Sequence, residues 1–169
     1  MAVDFQSKTL SELRTMVENG ERAGKTGHPT FLAAVAELDR RVAGADGRLS
    51  LERTREAIRA AALEDRCLSY GDVARASGIA WSMKTRSQMR DHLAELCARA
   101  DRERLPLLSA VVVRAEDVRE GVLRGEALQG FIALAVRLGF DADGTPEKQS
   151  RFVKAEQQKV FAWAKRESR

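Results

Sequence analysis

With 169 residues, 44% of them hydrophobic and 32% charged, the chain can build one cored domain or a small domain with a helical extension. No run of about 20 apolar residues exists to span a membrane, and Met1-Ala2-Val3-Asp4-Phe5 lacks a basic stretch ahead of an apolar one, so no signal peptide is expected. Two cysteines, Cys67 and Cys97, and two histidines, His28 and His92, make no familiar metal-ligand spacing; free buried thiols, a cytoplasmic location, and neither metal nor cofactor are expected.

In chain order, "SKTLSELRTMVENGERAG" opens with Ser7 and Thr9 as candidate caps and places Leu10, Leu13 and Val17 at helical spacing. Asn19-Gly20 is expected to end or interrupt this helix. Pro29 suits the first position of a second helix, with Phe31, Leu32, Val35 and Leu38 on one stripe and Gly44 just past its end. Residues 1–46 therefore read as a helical hairpin, and 47–169 as a second domain or a continuation of the first. Ser50 caps a third helix carrying Leu51, Ile58, Ala62 and Leu63, and Cys67 also falls in helical texture.

"SYGDVARASG" then gives a short helix capped by Ser69, with Val73 and Ala74 inward and Gly78 at a tight turn. The helix that follows, 84–104, has a buried stripe of Met89, Leu93, Leu96, Cys97 and Ala100 and stops at Pro106. "PLLSAVVVR" is rich in β-branched residues and predicts a strand, whose partner is expected around Gly121–Arg124. "LQGFIALAVRLGF" returns to helical period and closes at Gly139. "DADGTP" is a loop with too few alternating oxygen donors for calcium. A final amphipathic helix docks Phe152, Val153, Val160 and Trp163 and turns its lysines and arginines outward. The fold class is mainly α: a helical hairpin, a winged-helix-like helix-turn-helix core with a short β element, and a C-terminal amphipathic helix.

The net charge of +4 is unevenly placed. Residues 81–105 carry six basic side chains against four acidic, and 148–169 carry seven against two, whereas 1–50 and 51–80 are balanced. A local excess suits phosphate contact, and equally suits a solvated helix end. In a helix-turn-helix the second helix enters the major groove with its first residues forward. Those residues here are Ser82, Lys84, Thr85, Arg86, Ser87, Gln88 and Arg90, with no acidic residue between Asp72 and Asp91. Arg and Lys bond guanine edges or phosphates, Gln reads adenine, and Ser suits phosphate oxygens.

"SYGDVA" resembles the Thr-Tyr-Gly-Glu-Leu-Ala type segment that opens the helix-turn-helix of alkylguanine-DNA alkyltransferases and alkyltransferase-like proteins. In that family an arginine near the start of the second helix stacks into the duplex when a base flips; Arg86, or else Arg90, matches it. The family's Pro-Cys-His-Arg-Val-Val segment falls on "PLLSAVV", where Leu107 takes the cysteine position and Leu108 the histidine position. The resemblance covers roughly residues 65–115; it implies a winged helix and duplex contact, and without the cysteine it implies no alkyl transfer. A looser resemblance, to a bacterial or prophage-borne family, implies no activity.

Tyr70 is expected as a half-buried aromatic beside the cap, or as the backbone or base contact the family implies. Trp81 is expected to plug the gap between the two helices, or to stack on a base. His92 reads as a surface residue, and "EDVREGVLRGE" as a solvated acidic loop. Ser109 lacks a nucleophile-elbow context and "GEALQGF" is no phosphate loop. Two functions follow: a non-enzymatic protein binding double-stranded DNA through Tyr70, Trp81, Ser82, Lys84, Arg86, Ser87, Gln88 and Arg90, assisted by the basic tail, or a module that binds a protein partner through the hairpin. An enzyme is the weaker expectation, since no catalytic constellation stands out.

Overall fold

The structure, a computed structural model, describes residues 5, 7–45 and 48–168. Seven α-helices and one two-stranded parallel sheet are present among them, a mainly α architecture. The chain divides into two compact units, residues 1–48 with 77–79, and residues 49–76 with 80–169.

The first unit is an antiparallel pair, α1 (Leu10–Arg22) and α2 (Pro29–Ala45). Thr9 and Glu12 form a reciprocal capping box: Thr9 N–H donates to Glu12 Oε2 at 2.6 Å and Glu12 N–H to Thr9 Oγ1 at 3.2 Å. The helix does not stop at Asn19-Gly20. It runs on to Arg22 and ends at Gly24, whose φ of 65° lets Lys25 N–H reach Gly20 O at 2.9 Å. Gly20 serves packing instead, because a Cβ there would stand 2.3 Å from the Phe31 ring. Leu13 and Ala34 are buried, but Leu32, expected on the buried stripe, is 55% exposed. α2 runs past Gly44 to Ala45. Arg41 ties the N-terminal segment down by donating to the carbonyls of Lys8 and Phe5. Residues 1–4, 6 and the 46–47 part of the linker lie outside the described residues.

The second unit starts with α3 (Leu51–Leu63), capped by Ser50, whose hydroxyl accepts from Arg53 N–H at 3.3 Å. Its inward face is Thr54, Ile58, Ala61 and Ala62, while Leu63 turns outward. Strand β1 is Leu68–Ser69, and Cys67 precedes it in the connection rather than in a helix. Two helices follow: the short α4 (Tyr70–Ala76) and, beyond Gly78, the long α5 (Met83–Arg102). All five residues of the expected α5 stripe are buried, joined by Thr85.

α5 ends at Arg102, ahead of Pro106, through a Schellman motif. Leu105 N–H bonds Ala100 O at 2.8 Å and Arg104 N–H bonds Asp101 O at 2.9 Å, with Arg104 at φ 58°. α3 ends the same way at Asp65, φ 53°. A side chain in the left-handed region costs free energy that glycine avoids. Arg104→Gly is therefore expected to raise the unfolding free energy by about 0.5 kcal/mol or slightly more, read by urea denaturation.

The expected strand at "PLLSAVVVR" is mostly something else. Leu108–Val111 is a 3-10 turn and only Val112–Val113 is strand, β2. Its partner is β1, not residues 121–124: Leu68 pairs with Val112 and Ser69 with Val113, in parallel. Parallel pairing follows from the long return through α4 and α5. The turn is buried at all four residues, and α7 (Pro146–Glu167) supplies polar partners for this irregular backbone. Glu156, 1% exposed, accepts Leu107 N–H at 3.0 Å. Gln157 donates to Ala110 O at 3.0 Å and Gly121 O at 2.9 Å. Cys97 Sγ and Ser109 Oγ lie 3.1 Å apart in the core.

α6 (Gly125–Arg137) starts earlier than its apolar period suggests and closes at Gly139, φ 93°. Thr145 caps α7, Pro146 takes its first turn, and Val153, Val160 and Trp163 dock on the core with Phe152 partly covered. The acidic stretch after β2 is not simply a solvated loop. Asp117 is 3% exposed and accepts from Arg124 Nη1 at 3.1 Å, with Arg114 Nε at 3.5 Å.

Candidate nucleic-acid interface

Ser69 and Asp72 hold α4 in a capping box of their own: Ser69 N–H donates to Asp72 Oδ2 at 2.9 Å, and Asp72 N–H to Ser69 Oγ at 3.1 Å. Tyr70 is thereby fixed at the first position of α4, half-buried as expected beside the cap. Burial raises its phenol pKa, against the opposing charge of Arg114, so the hydroxyl is protonated.

Trp81 does not plug the gap between α4 and α5. It is 46% exposed and lies over Tyr70, ring centroids 6.2 Å apart and planes 13° from parallel. The pair forms an offset aromatic stack whose indole is partly open to solvent. Next to it in sequence, Met83 is 77% exposed.

Ser82 is committed to the helix: its Oγ accepts Thr85 N–H at 3.2 Å. Thr85 is buried and donates to Ala80 O at 2.9 Å, so it belongs to the hinge between the helices. Ser87 is exposed and donates to Lys84 O at 2.7 Å. Lys84, Arg86 and Arg90 are exposed and Gln88 partly so. Helical geometry puts Arg86 and Arg90, four apart, on one side of α5 with Met83, and Lys84, Ser87 and Gln88 on the adjoining side. Thr85, Met89 and Leu93 hold the opposite face in the core.

The charge around this end is less uniform than the sequence suggests. Glu126, 98% exposed in the first turn of α6, comes within 4.0 Å of Arg86 Nη2. Such an exposed, long ion pair is worth little and yields readily to a phosphate. The C-terminal helix carries charge that is partly paired: Lys148 with Asp141, Lys159 with Glu156, and Lys165 with Asp65. Arg75, in the last turn of α4, and Arg114, just after β2, are further exposed cations that sequence reading missed, since both elements looked structural.

His92 is not a surface residue. It is half-buried on α5, and its Nε2 lies 2.7 Å from Thr54 Oγ1. Thr54 already donates its proton to Ser50 O at 2.8 Å, so the imidazole donates to Thr54 Oγ1 through Nε2–H. Burial lowers its pKa to about 4. The folded value lies below the unfolded one near 6.5, so this group's contribution is full above pH 6.5 and lost as pH falls toward 4. Wild type is expected to lose Tm across that window while His92→Gln, which keeps a donor, shows a flatter profile there.

Both cysteines are free and buried, and burial pushes Cys67 up to about 11. No group of three or more metal-ligating side chains is found among the described residues, and no helix there is long and apolar enough to cross a membrane. No family model matches the chain, and neither a curated protein nor a solved structure does.

Proposed function

We propose that this is a double-stranded DNA-binding protein in which α4 and α5 act as a helix-turn-helix and the start of α5 faces the duplex. The observation that carries it is the pairing of two features at one end of α5. Lys84, Arg86 and Arg90 stand exposed over its first two turns, directly after Trp81, whose exposed indole stacks on the half-buried Tyr70. Cations that extend from one rigid helix neutralise phosphates and read guanine edges without ordering a loop first. The aromatic stack adds a flat apolar surface for a sugar or a base.

The local resemblance to alkyltransferase-like proteins supports the same reading, and the buried Leu107 and Leu108 leave no thiol where that family reacts. The role is binding, with regulation of the bound site as its simplest use. A protein-binding role for the hairpin is favoured by one observation only, the exposed Leu32.

The test uses the tryptophans. In a Trp163→Phe background Trp81 is the only indole, and stacking on a base or sugar quenches it. Addition of mixed duplex is expected to quench Trp81, and Arg86→Ala with Arg90→Ala to weaken the effect about 10-fold or more. Unchanged Trp81 emission together with unchanged anisotropy of labelled duplex defeats the proposal.

A further inference from the structure

Away from α5, residues 118–123 and α7 enclose a cleft of about 640 Å³ that reaches the connection at Cys67. That volume suits a small molecule rather than a side chain or a water. Val118, Val122, Leu128, Val153 and Phe161 give it apolar walls. The wall-forming loop is fixed in place. Gly121, at φ 65°, donates to Asp117 O at 2.8 Å, and Asp117 is held by Arg124.

Gln157 also lines the cleft and is only 7% exposed. Both of its N–H bonds are committed, to Ala110 O at 3.0 Å and Gly121 O at 2.9 Å. Its Oε1 accepts from no described residue, so a pre-oriented acceptor, open to solvent, is left for a ligand's donor. The charges at the lining are sorted as well. Asp65 pairs with Lys165, and Glu120 with Arg124, which also holds Asp117. Arg119 and Lys154 line the cleft and are in no ion pair among the described residues. The unbalanced charge is positive, and the Cys67 thiol, neutral because burial raises its pKa, adds no negative charge.

We propose that this cleft binds a small aromatic carboxylate bearing a hydroxyl or amino donor. The ring lies between the aliphatic walls and Phe161, the carboxylate meets Arg119 and Lys154, and the donor bonds Gln157 Oε1. This site does not rest on the DNA reading.

The probe is 4-hydroxybenzoate, titrated into the ¹⁵N-labelled full chain, with neutral 4-hydroxybenzamide and donor-free benzoate in parallel. Shifts are expected at Val122, Phe161 and the Gln157 side-chain amide. Affinity is expected to fall about 10-fold for the neutral amide and for Arg119→Gln with Lys154→Gln, two exposed changes that leave the fold intact, and less for benzoate. No cleft shift up to about 10 mM overturns the proposal. So does equal binding of acid and amide, or a response confined to Lys84–Arg90.

Discussion

Trp163→Ala is expected to lower the unfolding free energy by about 3–5 kcal/mol, the largest loss from any single truncation here. The indole is 2% exposed, lies between α7 and the rest of the core, and carries the Arg55 guanidinium 5.7 Å over its ring. Its Nε1–H has no hydrogen-bond acceptor among the described residues. That orphaned donor predicts a second result. Trp163→Phe keeps most of the apolar contact and removes a buried unsatisfied group, so its cost should be about 1 kcal/mol or less. Urea unfolding of the two variants separates packing from polarity, because a site that depended on the indole N–H would make them alike.

The second large effect is at Glu156. Replacing it with alanine strips the acceptor from Leu107 N–H, leaves that donor buried, and opens a void beside the 3-10 turn. The loss of a buried acceptor and of side-chain volume together predicts about 3 kcal/mol of destabilisation. Glu156→Gln retains an acceptor of nearly the same shape and gives up mainly the pair with Lys159, whose side chain is 59% exposed. Its cost should be about 1 kcal/mol or less. If the two substitutions cost the same, Glu156 acts through charge rather than through the backbone of Leu107.

These two residues mark where the sequence was legible and where it was not. Helix caps and stripes were readable because they are local: Thr9, Ser50 and Ser69 all accept from the first turn they precede, and Ser82 and Thr145 do the same although the sequence reading gave them no such role. The β-branched run after Pro106 misled because a strand needs a neighbour along its length. β1 offers only two residues, and the rest of the run bonds instead to side chains of α7. Those side chains were hidden by their polarity. Val153, Glu156, Gln157, Val160 and Trp163 follow helical spacing, so the stripe itself demanded that Glu156 and Gln157 be inside. His92 repeats the point on α5: it follows Thr85 and Met89 at the spacing of the buried face.

At the candidate interface, exposure of Lys84, Arg86 and Arg90 followed from the α5 stripe, since residues off that stripe must face solvent. What no local pattern carried was the third dimension. Glu126 approaches Arg86 from another helix, and Trp81 finds Tyr70 across the turn rather than filling the space between helices. Both depend on where α4 and α6 run, which spacing along one helix does not encode.

The central claim, that the start of α5 meets a duplex, is tested most directly by the salt dependence of binding. Each phosphate contact removed makes the slope of log K against log salt shallower by about 0.9. Anisotropy of a labelled mixed-sequence duplex should give a steep negative slope for wild type. The slope should become shallower by about 2–3 for Lys84→Gln, Arg86→Gln and Arg90→Gln combined, with the fold unchanged by circular dichroism. An identical slope for the two proteins, or no salt-sensitive binding by either, contradicts the account.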